Sequence, residues 1–206
     1  MKITCELHPE RREVLIICCD GEVWREVHTS IFGRKPSFEG CESLEQLSNQ
    51  FFSLEYRLAK QYAVRRLAAQ SLPSAALKRA LEERLVSEST TAKLIQEFCE
   101  LGYINDQQWT ESFVRHQVER KLGPRMIAQK LSRKGISKEF AAKALEKANH
   151  PGQQQKALAH LLETRYRQRN LNNFKERQKV IASLIRRGFD LAVILDYFRG
   201  HEGVEE

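Results

Sequence analysis

The chain repeats itself, and the period limits what it can fold into. Displacing the sequence by 50 residues lays Leu72, Leu77, Leu81, Arg84 and Val86 on Leu122, Ile127, Leu131, Lys134 and Ile136, with Ala92 on Ala142 and Ile95 on Leu145. A further shift of 53 lays Ile127, Leu131, Lys134, Gly135, Ile136 and Leu145 on Val180, Leu184, Arg187, Gly188, Phe189 and Phe198. Three units follow, at roughly 54–101, 102–151 and 152–200. A unit of this size has little core of its own, so such a period marks an array in which each unit buries a face against its neighbour. Each unit reads as a long helix, a medium helix ending in a basic-Gly-apolar cap, and a short third helix.

Periodicity supports that reading. Tyr56, Ala59, Ala63, Leu67 and Gln70 follow the spacing of one helix face, and Leu77, Ala80, Leu81 and Leu85 repeat it. Pro73, Pro124 and Pro151 stand at helix starts or breaks, and Asp106 and Ser137 are placed to accept from free amides of a first helical turn. Gly102, Gly135 and Gly188 each precede an apolar residue, as left-handed helix caps do. The opening differs: Glu13 to Cys19 and Val23 to His28 read as strands joined by Asp20-Gly21, a hairpin signal, and a loop from Gly33 to Gly40 leads to a boundary near Ser43. The expected fold is mainly α: three tandem three-helix repeats in an elongated curved array behind a small β-hairpin-containing segment. The expected divisions are residues 1–50, 51–101, 102–151, and 152–206 with an acidic tail.

Charge shows where a partner could bind. Lys and Arg number 34 against 27 Asp and Glu, a net +7. The excess is concentrated in residues 115–147, with ten basic and three acidic side chains, and 156–187, with nine against two. Two such blocks suit a phosphate backbone or an acidic protein groove. The candidate set is Arg115, Arg120, Lys121, Arg125, Lys130, Arg133 and Lys134, then Arg165, Arg167, Arg169, Lys175, Arg177, Lys179, Arg186 and Arg187. Some of these complement helix dipoles, and the surplus is the candidate surface.

Other classes find little support. The five cysteines, Cys5, Cys18, Cys19, Cys41 and Cys99, are odd in number and lack zinc-ligand spacing, so they read as buried free thiols in a reducing compartment. No long uncharged apolar run or leader-like start occurs, which points to a cytoplasmic protein away from membranes. Phosphate-loop, nucleophile-elbow and zinc-protease motifs do not occur, so no catalysis, metal or cofactor is expected. Glu82 and Glu83, or Asn105 and Asp106, make poor acid–base pairs, and His116, His150 and His160 lack an evident orienting partner.

The string from Leu101 to Ile136, LGYINDQQWTESFVRHQVERKLGPRMIAQKLSRKGI, resembles the RecX family of bacterial recombinase regulators. Gly102, Tyr103, Ile104, Asn105, Asp106, Trp109, Phe113, Gly123, Arg125, Leu131, Lys134, Gly135 and Ile136 occupy places comparable to the family pattern, and residues 185–198 look like its closing repeat. Leu85 where the second repeat has Gly135, Thr110 after the aromatic, and Pro124 before Arg125 depart from it. The resemblance implies a monomer that binds the RecA nucleoprotein filament, with its single- or double-stranded DNA, and lowers ATP hydrolysis and strand exchange. Asp106, Trp109, Phe113 and Gly135 read as scaffold. A helical transcription factor acting directly on DNA is the alternative, since three-helix units can present a recognition helix. A pure protein scaffold is a third.

Overall fold

The computed structural model describes residues 1–148 and 152–201 and divides into two compact units, Met1–Asn105 and Asp106–Glu206. The expectations placed on His150, on Pro151 and on the acidic tail at 202–206 lie outside the described residues.

The first unit opens with strands β1 (Ile3–Leu7), β2 (Val14–Cys19) and β3 (Glu22–His28), paired antiparallel in that order. Asp20 and Gly21 both take positive φ, 50° and 90°, and form the expected two-residue hairpin turn. The third strand, β1, is an addition to that hairpin; only its first three residues are half-buried, so alternation is too weak to announce it. After the short α1 (Thr29–Phe32) come α2 (Leu44–Ala69), α3 (Ser74–Glu82) and α4 (Glu88–Glu100). The Ser43 side chain caps α2 by accepting from the Gln46 amide. Sheet and helices share one core, with Leu15, Ile17 and Val27 from the strands meeting Phe51, Ala59, Leu77, Leu81, Leu94 and Phe98. Phe51 is at its centre, 5.1 Å from the ring of Phe32 and 5.2 Å from that of Trp24.

The second unit contains α5 (Asp106–Glu119), α6 (Pro124–Arg133) and α7 (Lys138–Ala148), then α8 (Gln153–Thr164), α9 (Phe174–Arg186) and α10 (Leu191–His201). Val114, Ile127, Leu131 and Ile136 centre the first trio, whereas Leu158, Leu161, Val180, Leu184, Phe189 and Ile194 centre the second. Trp109 and Phe113 stack at 5.0 Å against the first of these cores. The chain is therefore mainly helical, in groups of three, with a small N-terminal antiparallel sheet.

The repeat is easiest to see in the caps. Leu85, Gly135 and Gly188 have φ of 57°, 82° and 91°, and the next amide in each case reaches back to the last turn: Val86 to the Leu81 carbonyl, Ile136 to Leu131, Phe189 to Leu184. This is a Schellman closure, and at Leu85 a side chain holds the left-handed position that glycine fills elsewhere. Pro124 is the first residue of α6, where its missing N–H costs nothing. Ser137 caps α7 through the Phe140 amide at 3.2 Å, while α5 begins at Asp106 itself.

Two expectations need correction. In the first two trios the third helix is not the short one: α4 has 13 residues against 9 in α3, and α7 has 11 against 10 in α6, whereas α10 has 11 described residues against 13 in α9. Cap positions set these lengths, and a repeat alignment does not reveal them. The cysteines are not buried either: Cys5, Cys18, Cys19 and Cys41 are half-buried and Cys99 is exposed, because they occupy the sheet, its flank and the outer face of α4.

Candidate basic binding surface

The cations named from the sequence all fall in the second unit, mostly at helix ends. One group closes α6. Lys130 donates to the Gln117 side chain at 3.1 Å, tying α6 to α5, and the Lys134 ammonium lies 5.7 Å and 5.8 Å from the Trp109 and Phe113 rings. Those contacts anchor Lys134 by cation–π attraction while it stays exposed. Arg133, the last residue of α6, is also exposed.

A second group forms where the two trios touch. The Gly123 amide donates to the Arg187 carbonyl at 2.9 Å and the Arg125 amide to that of Gly188 at 3.1 Å. A Cβ on Gly123 would lie 2.2 Å from the Gly188 carbonyl carbon, so only glycine permits this approach. Side chains reinforce it: Arg187 donates to the Lys121 carbonyl at 3.4 Å, and Arg125 pairs with Asp190 at 2.6 Å. Arg120, Lys121, Arg125, Arg186 and Arg187 are thereby gathered from two distant stretches of chain. Lys121 is half-buried, not exposed, and holds a left-handed φ of 58°.

The third group lies in the connection from α8 to α9 and the first turns of α9. Arg165, Arg167 and Lys175 are exposed and make no ion pair among the described residues. Arg169 and Lys179 instead hold Glu176 at 2.8 Å and 2.9 Å, keeping its carboxyl below the usual range chiefly through the Lys179 hydrogen bond. Arg177 lies 4.9 Å from the Phe198 ring. Along the 13-residue α9, Lys175 stands roughly 17 Å and Lys179 roughly 11 Å from Arg186. Arg115 stands by itself on α5, near Glu111, whose carboxyl is held low first by its hydrogen bond to Lys147. The structure thus joins Lys121 to Arg187.

Sequence reading passed over three features. Glu55 on α2 is fully buried and accepts from the Ser87 amide and hydroxyl and from the Thr90 hydroxyl at the start of α4. Glu97 on α4 accepts from Tyr56 and Lys60 on α2; the Lys60 hydrogen bond leads in holding its carboxyl low, and Tyr56 is pushed up chiefly by its hydrogen bond to Glu97. Phe174, the first residue of α9, is 73% exposed beside Lys175. Its spacing continues the stripe of Ile181 and Leu184, which hides it, yet side chains tilt toward a helix N-terminus, so at this position the ring overhangs the end. Among the described residues no group of three or more His, Cys, Asp and Glu is placed to hold a metal ion, and no helix is long and apolar enough to cross a membrane.

Each of these two trios matches a family model. Residues 105–145 match the second three-helix domain of RecX, and residues 152–198 match the third. The regulatory protein RecX of Streptococcus uberis is 28% identical over 201 residues, spanning 94% of this chain and 74% of its own length. That of Caldanaerobacter subterraneus is 24% identical over 192 residues, spanning 93% and 95%. Among solved structures, a regulatory protein RecX covers 93% of this chain and 96% of its own, with a TM-score of 0.62 at 24% identity. RecX from Lactobacillus salivarius covers 73% and 98%, with a TM-score of 0.64 at 24% identity. The structural likeness bears on the fold.

Proposed function

We propose, from the premise that this chain belongs to the RecX family of regulatory proteins, that it binds the RecA nucleoprotein filament in the cytoplasm and lowers its ATP hydrolysis and strand exchange. One observation carries the reading: the segments that match the family's second and third domains are those in which the basic blocks lie, closed into one unit by the Gly123–Gly188 contact. Binding, not catalysis, is the mode of action. Arg120, Lys121, Arg125, Arg133, Lys134, Arg186 and Arg187 meet phosphates or acidic side chains of the filament, while Arg169 and Lys179 serve the fold through Glu176. Several weak contacts on one chain give avidity that no single repeat has.

The test is a titration of RecA ATPase on single-stranded DNA with the purified protein, beside a pulldown of RecA with and without DNA. Dose-dependent loss of hydrolysis with capture of the filament is the expected result. Selective binding to one duplex sequence with RecA unaffected would replace this reading with that of a transcription factor.

A further inference from the structure

The turn between α8 and α9 and the start of α9 carry exposed side chains that packing does not explain. The turn reads Arg165-Tyr166-Arg167-Gln168-Arg169-Asn170-Leu171-Asn172-Asn173, and it is pinned from beneath. Tyr166 is buried with its hydroxyl 2.7 Å from the Ser183 hydroxyl, and Leu171 packs on the core of this trio. Arg169 pairs with Glu176, Asn170 accepts from the Asn172 amide at 3.1 Å, and Asn173 accepts from the Lys175 and Glu176 amides. Arg165, Arg167, Phe174 and Lys175 are left exposed. The Phe174 ring is the most exposed of the large hydrophobic side chains among the described residues.

We propose that this turn is a platform for a single nucleic-acid strand, with Phe174 stacked on an unpaired base and Arg165, Arg167 and Lys175 meeting the flanking phosphates. The combination of groups selects the ligand. Cations alone would suit any polyanion, a duplex or an acidic protein included, but would leave the ring in water. An apolar peptide would cover the ring and leave three cations unmatched. A strand with unstacked bases offers an aromatic face and a phosphate at every residue, and a duplex keeps its faces stacked inside. The pinned turn holds its ring and charges ready, so little conformational freedom is lost on binding. The platform deepens the filament reading, on which it rests for its biological setting alone.

The experiment uses the full chain and three variants: Phe174→Ala, Phe174→Trp, and the triple Arg165→Gln, Arg167→Gln, Lys175→Gln. Fluorescence anisotropy follows a labelled oligothymidylate and a duplex of the same length over a range of salt, with melting curves as the check on folding. Phe174→Ala should weaken binding to the single strand about tenfold with the salt slope unchanged, because stacking releases no counterions. The triple variant should flatten that slope by about two, at roughly 0.7 per lost phosphate contact. Phe174→Trp should keep the affinity, and its added indole fluorescence should be quenched by oligothymidylate and much less by the duplex. Equal affinity of Phe174→Ala and the unaltered chain for the single strand, or an equal loss on strand and duplex, overturns the platform. RecA inhibition is read in parallel. A protein that binds oligothymidylate through Phe174 yet leaves RecA untouched retains the platform and removes the filament reading. One that inhibits RecA while Phe174→Ala binds the strand undiminished does the reverse.

Discussion

Glu55 shows what a single side chain does for the first unit. Its carboxylate takes three hydrogen bonds at the start of α4, where the unpaired amides of a first turn favour negative charge. It substitutes for solvent around Ser87 and Thr90 and fixes α2 against α4. Glu55→Ala should lower stability by about 3 kcal/mol in a denaturant titration, because donors arranged around a buried charge lose their acceptor together. Glu55→Gln, which retains one carbonyl acceptor, should lose less. Equal stability of all three proteins would show that the carboxylate contributes nothing to the fold. Sequence alone gave no hint of this role: a glutamate between Leu54 and Tyr56 in a charged helix reads as solvated. The partners that bury it, Ser87 and Thr90, arrive from a different helix.

Among the elements, what proved legible was local and what did not was pairwise. The Asp20-Gly21 turn, the Ser137 cap and the closures at Gly102, Gly135 and Gly188 each follow from φ preferences or hydrogen-bonding needs within a few residues. Helix lengths and the contact between α6 and α9 do not, because they depend on residues that meet only after folding. Gly123 is the clearest case. Its φ of −77° would suit any residue, so the backbone conformation gives no reason for glycine. The reason is the Gly188 carbonyl, 2.3 Å from where a Cβ would stand. Gly123→Ala should therefore destabilise the second unit by about 2 kcal/mol, as forced overpacking does. Gly200→Ala, in α10 with nothing within 4 Å of the added Cβ, should be neutral or stabilising by up to about 1 kcal/mol. Thermal melts of the two variants compare them directly, and an undisturbed Gly123→Ala would mean that the α6–α9 contact opens without cost.

For the whole molecule, the open question is whether the two units act together. Each has a core of its own, one built around Phe51 and Phe98 and the other from the clusters around Leu131 and Leu184. Each can therefore persist as a folded body when the chain between them is cut. The candidate cations lie in the second unit, and the family-domain matches begin at residue 105, where the first unit ends. If the first unit only accompanies the second, cutting the chain there changes nothing. If both touch the filament, their linkage makes the second contact intramolecular, at an effective concentration of about a millimolar for a short connection, and cutting forfeits it. A protease site inserted between Asn105 and Asp106 tests this with the same protein before and after cleavage. The intact chain and the cleaved mixture are titrated against RecA ATPase, with melting curves showing that both halves stay folded. Contacts by both units predict that the inhibitory concentration rises on the order of a hundredfold after cleavage, toward the value for the better half. An unchanged titration would assign inhibition to one unit, and assays of the separated halves would then identify it.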